Sequence, residues 1–123
     1  MDISLVDVTR ENYEAVCRLT VAEDQEDLLS PNIWSLVEAS FENDLTTRAI
    51  CAGDTVVGFF MWHHQAKHIV SIWRFMIDEK FQRKGIGKAA LKLAITEIKR
   101  IREVREIVIC YHPENTAKAL YFD

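Results

Sequence analysis

The run from residue 69 to residue 111 constrains this chain more than any other. IVSIWRFMI (69–77) is a nine-residue, largely apolar stretch, the pattern of a strand covered on both faces. Two glycines, Gly85 and Gly87, follow within a basic turn. From Gly85 to about Val104, Ile86, Ala90, Leu91, Ala94, Ile95, Ile98 and Ile101 fall on one stripe of a helix, with Lys88, Lys92, Lys99 and Arg102 largely outside it. IVICY (107–111) is a second strand of the buried type. Strand, long helix and strand in succession predict a crossover joining two parallel strands with right-handed connectivity.

The rest of the chain builds outward from that unit. Residues 3–8 read as a short strand. Thr9 is placed to cap a helix running to about Ala22, and Ser30-Pro31 opens a second helix to about Asp44. The apolar face of that second helix is expected at Ile33, Leu36, Val37, Ser40 and Phe41. TRAICA (47–52) and TVVGFFMW (55–62) around Gly53-Asp54 predict a hairpin, and Gly58 within it marks a bulge or a close backbone approach. His63, His64 and His68 are read as loop histidines, without a third ligand that would make a zinc site. After His112-Pro113-Glu114-Asn115 a short closing helix is expected. The fold class is α/β, or α+β with a mixed sheet, in a single domain over residues 1–123.

Composition excludes several classes. At 49% hydrophobic and 28% charged the chain is neither disordered nor fibrous. No apolar run approaches the ~20 residues of a membrane span, and the first residues lack the basic-then-apolar order of a secretory signal. Cys17, Cys51 and Cys110 are too scattered for a disulfide framework or a metal knuckle, so a cytoplasmic protein is expected. The net charge of −4 hides an asymmetry: residues 1–44 carry −9, and residues 80–105 carry +7. This predicts an anionic ligand on one side and a cationic one on the other, unless both are ordinary solvated helix faces. Nucleic acid does not fit a pI near 5.6 with the basic residues mostly on one helix.

The turn between the central strand and the long helix supplies the chemistry. The first N–H groups of a helix have no internal partner and lie at the positive end of the helix dipole. Glycines without Cβ at positions 85 and 87 let a phosphate approach that backbone, and Arg83, Lys84 and Lys88 add charge. A tight turn with no ligand is the alternative. The spacing fits neither a Walker loop nor a dinucleotide fingerprint.

Gln82-Arg83-Lys84-Gly85-Ile86-Gly87 resembles the Q/R-x-x-G-x-G/A motif of the GCN5-related N-acetyltransferases, the GNAT superfamily. Gln25…Pro31-Asn32…Trp34-Ser35-Leu36, Val57-Gly58-Phe59, Arg74 through Gln82, and Tyr111 through Asn115 with Leu120-Tyr121 look like its bacterial spermine/spermidine N-acetyltransferase branch. The resemblance implies acetyl-CoA as co-substrate, with its pyrophosphate at Gln82, Arg83, Lys84, Gly85, Ile86, Gly87 and Lys88. It implies backbone contacts to the pantetheine and thioester from Phe75, Met76 and Ile77, and a contact to the cofactor arm from Asn115. Tyr121 matches the tyrosine that protonates the departing thiolate. Glu23, Asp24, Glu26 and Asp27 fall in the segment bordering the acceptor, implying a small cationic amine, and no metal is implied. An alkylamine is only about one part in 2,500 neutral at pH 7, so acidic groups would both bind the cation and take its proton.

Relative to that family, the chain is expected to lack the last two strands. Residues 107–111 would then present an open edge able to recruit a second copy. Two further readings stay open: a CoA-binding module without turnover, and an acetyltransferase acting on a protein amine.

Overall fold

The computed structural model describes residues 2–20, 32–111 and 116–121, with backbone alone from residue 110 onward. Six strands form one sheet in the order β1 to β6: Ile3–Asp7, Leu45–Ala52, Thr55–Ala66, Ile69–Ile77, Glu106–Tyr111 and Thr116–Tyr121. β1 to β4 are an antiparallel meander, β4 and β5 run parallel, and β5 pairs antiparallel with β6. Helix α3, Ile86–Lys99, makes the crossover from β4 to β5. The predicted βαβ unit is present.

Alternation along the strands divides the core between the two faces of the sheet. On one face Ile86, Ala90, Ala94 and Ile98 of α3 pack on Ile50, Val57, Phe60, Val70, Ile72, Ile77 and Ile107. The alanines at every fourth position keep the helix close to the strands. On the other face α1 (Tyr13–Cys17) and α2 (Asn32–Phe41) cover Leu45, Ala49, Phe59, Met61 and Met76. Arg48 bridges Asp7 on β1 and Glu97 on α3 at 3.1 and 2.9 Å, and Trp62 Nε1 donates to the same glutamate. No helix among the described residues is long and apolar enough to cross a membrane.

Five expectations are corrected. Thr9 does not cap a long helix: its N–H donates to Asn12 Oδ1 at 2.7 Å, residues 9–12 form a turn, and α1 has five residues. The described part of the chain then leaves that helix so that Thr20 N–H can reach the Asp78 carboxylate.

The buried face of α2 is not the apolar one. Asn32 and Ser35 are buried, with Leu36 and Ala39 packed beside them, while Ile33, Val37, Trp34 and Phe41 are exposed, the last two at 68% and 82%. Hydrogen bonding sets this rotation. Asn32 donates to the Val16 carbonyl at 2.9 Å and accepts from Arg74 Nε at 2.6 Å, which ties α2 to α1 and β4.

His63 and His64 belong to β3, which runs on to Ala66, so they are strand residues. The closing helix is strand β6. A four-residue connection is hairpin length, and β6 satisfies the edge groups of β5 from Glu106 to Tyr111. The edge expected to be open, and with it the route to a second copy, is covered by the chain's own residues.

Candidate active site

β4 outruns its parallel neighbour. Pairing with β5 spans Ile69–Ile72 against Glu106–Ile109, while β4 continues through Ile77. From Trp73 onward its β5-facing edge has no strand partner among the described residues, which leaves backbone groups there for another partner, the Ile77 carbonyl excepted because it accepts from the Gln82 side chain. On its other side the same stretch is firmly held: Arg74, Phe75, Met76 and Ile77 pair with Met61, Phe60, Phe59 and Gly58 of β3. Phe75, Met76 and Ile77, the residues expected to serve through backbone groups, lie on this unpaired edge.

Gly58 explains how closely the strands fit at that point. A Cβ there would lie 2.5 Å from the Met76 carbonyl oxygen, and the register of β2 on β3 shifts beside it, so both readings of this glycine apply. Trp73 is the extra residue of a second bulge, where the pairing of β3 on β4 passes from Met61–Arg74 to Trp62–Ile72. A bulge re-aims side chains, and here it exposes Trp73 at 44%.

Beyond Ile77 the chain turns sharply into α3. Asp78 is 6% exposed and both its carboxylate oxygens are engaged locally: one accepts from Thr20 N–H and the other from Lys80 N–H, each at 3.0 Å. Its own N–H donates to the Val57 carbonyl. Gln82 donates from its side-chain amide to the Ile77 carbonyl at 2.9 Å, closing the turn. Arg83 and Gly85 follow with φ of +64° and +81°. Left-handed backbone costs a non-glycine residue roughly 1–2 kcal/mol, so the turn stores strain at Arg83.

The first intrahelical bond of α3 runs from Ala89 N–H to the Gly85 carbonyl, leaving the N–H groups of Ile86, Gly87 and Lys88 without helical acceptors. Arg83, Lys84 and Lys88 are exposed around that end, and none of them joins an ion pair among the described residues. Gly87 is informative. A Cβ there would meet only Ile77 Cγ1, at an ordinary 3.6 Å, so the protein's own packing does not demand glycine. Gly85 differs, since its φ favours glycine whatever the space.

The other expected residues are not all gathered here. Glu23, Asp24, Glu26, Asp27 and Asn115 lie outside the described residues. Tyr121 pairs with Glu106, which in turn pairs with Ile69. Its backbone is therefore at the closed end of the β4–β5 pair, about 10 Å along β5 from the opening beyond Ile109. Among the described residues no group of three or more His, Cys, Asp or Glu side chains is placed to hold a metal ion.

Sequence reasoning missed a set of side chains on the α1/α2 face. His63 Nε2 lies 2.7 Å from Asp44 Oδ2, and the His63 ring lies against Trp73 with centroids 4.5 Å apart. Arg74, 8% exposed, hydrogen-bonds Asn32, and burial pushes its guanidinium pKa down from the ordinary value. Pairing across strands brings these residues together, and no local spacing announces it.

Comparison with known proteins decides the family. The Acetyltransferase (GNAT) family model matches residues 9–122. The chain belongs to the GNAT acetyltransferase family. The spermine/spermidine N(1)-acetyltransferase of Bacillus subtilis is 27% identical over 128 residues, covering 94% of this chain and 80% of that protein. PaiA N-acetyltransferase from Thermoplasma acidophilum, solved in complex with coenzyme A, is 19% identical with a TM-score of 0.65, covering 94% of this chain and 83% of that one. A GNAT family acetyltransferase from Elizabethkingia anophelis with acetyl-CoA bound is 20% identical with a TM-score of 0.61, covering 87% of this chain. This GNAT chain spans 63% of that protein's length. These two likenesses establish the GNAT fold, and the unpaired edge of β4 running into the glycine turn of α3 is the feature to which its chemistry can be tied.

Proposed function

We propose that this GNAT acetyltransferase binds acetyl-CoA along β4 and transfers the acetyl group to a primary amine of a small polyamine such as spermidine or spermine. The observation that carries this reading is the continuity of the unpaired β4 edge with the N-terminus of α3. The pyrophosphate would lie against the N–H groups of Ile86, Gly87 and Lys88, in the turn made by Gln82, Arg83, Lys84 and Gly85. Arg83, Lys84 and Lys88 would neutralise its charge. An extended pantetheine would add to β4 as a strand adds to a sheet edge, using backbone groups of Phe75, Met76 and Ile77. Its thioester would then lie near Trp73, about 13 Å from Ile77 along the strand.

Fixed backbone N–H groups aimed at the thioester oxygen stabilise the charge that develops there as the amine attacks. The new C–N bond forms, the C–S bond breaks, and the sulfur leaves as a thiol of ordinary pKa about 8.5. Tyr121, whose backbone lies at the closed end of the β4–β5 pair, is assigned no step.

A polyamine acceptor is supported by the name of the Bacillus subtilis relative and by the −9 balance of residues 1–44, which include Glu23, Asp24, Glu26 and Asp27. Release of free CoA thiol from acetyl-CoA, measured across a panel of amines, tests the reading. Turnover is expected with spermidine and spermine and not with acidic amino acids, with an apparent KM that rises with salt. Preference for an anionic acceptor would overturn the polyamine assignment. CoA binding without turnover on any amine would leave a binding module.

A further inference from the structure

We propose that His63 takes the proton from the acceptor amine, with Asp44 orienting it and Trp73 forming the wall against which the cationic amine binds. The inference rests on the acetyl-transfer reading above and names the acceptor end of that site. Three observations converge. First, Trp73 is the bulged residue immediately beyond the last β4–β5 pair, where the unpaired edge begins. Second, the His63 ring packs against Trp73 at 4.5 Å, so an imidazole stands beside that edge. Third, His63 Nε2 is 2.7 Å from an Asp44 carboxylate oxygen. A carboxylate only accepts, so Nε2 carries the hydrogen, and in the neutral ring Nδ1 holds the lone pair. No hydrogen bond of the described residues uses Nδ1.

The charged surroundings suit the role. Asp44 comes from the connection between α2 and β2, and an anion there stabilises the imidazolium formed by proton uptake. Arg74, on the same face of β4, is engaged by Asn32. Glu38 on α2 and Glu42 just beyond its end are exposed, and His64 turns away to the Lys67 carbonyl. Leu45 and Thr47 on β2 and Ser71 on β4 add no charge to this face.

The protons balance. An ammonium must lose one proton before its nitrogen can attack, and this one goes to His63 Nδ1 and then to water. As the C–N bond forms and the C–S bond breaks, nitrogen sheds a second proton and sulfur gains one. The Trp73 ring face attracts the ammonium before it is deprotonated.

The test is kcat/KM for spermidine from pH 6 to pH 10, with CoA affinity measured alongside by calorimetry. With His63 accepting from the bound ammonium, the wild-type rate should not track the neutral-amine fraction: between pH 7.5 and 9.5 it should rise far less than the roughly 100-fold by which that fraction grows. In His63→Gln only amine already neutral in solution reacts. Its rate at pH 7.5 should be about 100-fold lower and should climb with unit slope toward the amine pKa of about 10.4. Asp44→Asn should lower kcat about 10-fold with little change in KM, and Trp73→Ala should raise the spermidine KM. CoA affinity should hold in all three.

A His63→Gln profile with wild-type shape and height would overturn this inference and leave the acetyl-transfer reading standing. Wild-type protein with no turnover would overturn both. If His63→Gln folds poorly by circular dichroism, Asp44→Asn carries the same test, and an unchanged kcat there overturns the orienting role.

Discussion

At its Ile77 end β4 runs into a site made of backbone; at its Trp73 end it meets one made of side chains. The first consists of N–H groups at the start of α3, a left-handed glycine, a strained Arg83 and a free strand edge, all within residues 73–88. The second assembles Asp44, His63 and Trp73, with Asn32 on Arg74 behind them, from two strands, a helix and a connection. Backbone sites are rigid and indifferent to which side chains surround them, provided that glycines stand where the chain must bend or a ligand must approach. Side-chain sites can be retuned one residue at a time. In this molecule the two lie about 13 Å apart on one strand, so a donor held by the first and an acceptor held by the second can meet.

The largest expected effect breaks the backbone end alone. Gly87→Val should weaken CoA binding by at least about 100-fold, because a branched side chain would fill the space a phosphate needs against the helix N–H groups. Gly87→Ala is the control for folding. Packing leaves room for its Cβ, and alanine is favoured over glycine within a helix by up to ~1 kcal/mol, so the ligand-free variant should melt at a higher temperature. A variant that is more stable and yet binds CoA more weakly would tie the glycine to the ligand. Wild-type CoA affinity in Gly87→Val would place the phosphate site elsewhere.

The same contrast explains what could be read in advance. The requirements of the backbone end are local: a strand, glycines three and five residues after Gln82, basic residues and a helix are contiguous, so an eleven-residue run announces them. The β2–β3 hairpin, the crossover and the β4 limits were legible for a similar reason, since period and turn residues act over a few positions. The rotation of α2 was not. The spacing of Ile33, Leu36, Val37, Ser40 and Phe41 predicts one buried face, but the two hydrogen bonds of Asn32, with partners 16 and 42 residues away, turn Asn32 and Ser35 inward and leave Ile33, Val37 and Phe41 exposed. His63 was invisible as a site residue because its meaning depends on a bulge in β4 and on where α2 ends. The last strand was misread because Thr116–Tyr121 has no strict alternation, and what holds it is the unsatisfied edge of β5.

A middle-sized effect is expected at Asn32. Replacing it with alanine removes the oxygen that accepts from Arg74 and leaves a buried guanidinium with one fewer partner. Loss of a hydrogen bond to a buried charged group costs about 2–3 kcal/mol. Asn32→Ala should therefore lower the midpoint of urea unfolding measurably. It should raise the amine KM through displacement of Arg74 and Trp73, with CoA affinity nearly unchanged because the α3 turn shares none of these contacts. A matching loss of CoA affinity would mean that the two ends of β4 are mechanically coupled.

The smallest effect concerns the far end of the face that carries His63. Cys51 is 8% exposed, and burial, reinforced by Asp54, pushes its thiol pKa above the ordinary value of 9.0. Cys51 at the dry end of this face thus contrasts with the exposed Trp73 at the other. A raised folded pKa means that folding favours the thiol. The stabilisation is fully present below about pH 9 and is lost as pH rises through the folded pKa, because the unfolded chain releases its proton first. Part of the alkaline loss of stability should therefore belong to Cys51, and urea midpoints between pH 8 and 10.5 should fall less steeply in Cys51→Ala. The comparison is of slopes, since the truncation itself lowers stability at every pH. Parallel curves for the two proteins would show that water reaches Cys51, making both ends of the α1/α2 face wet and leaving the difference between them to side-chain chemistry alone.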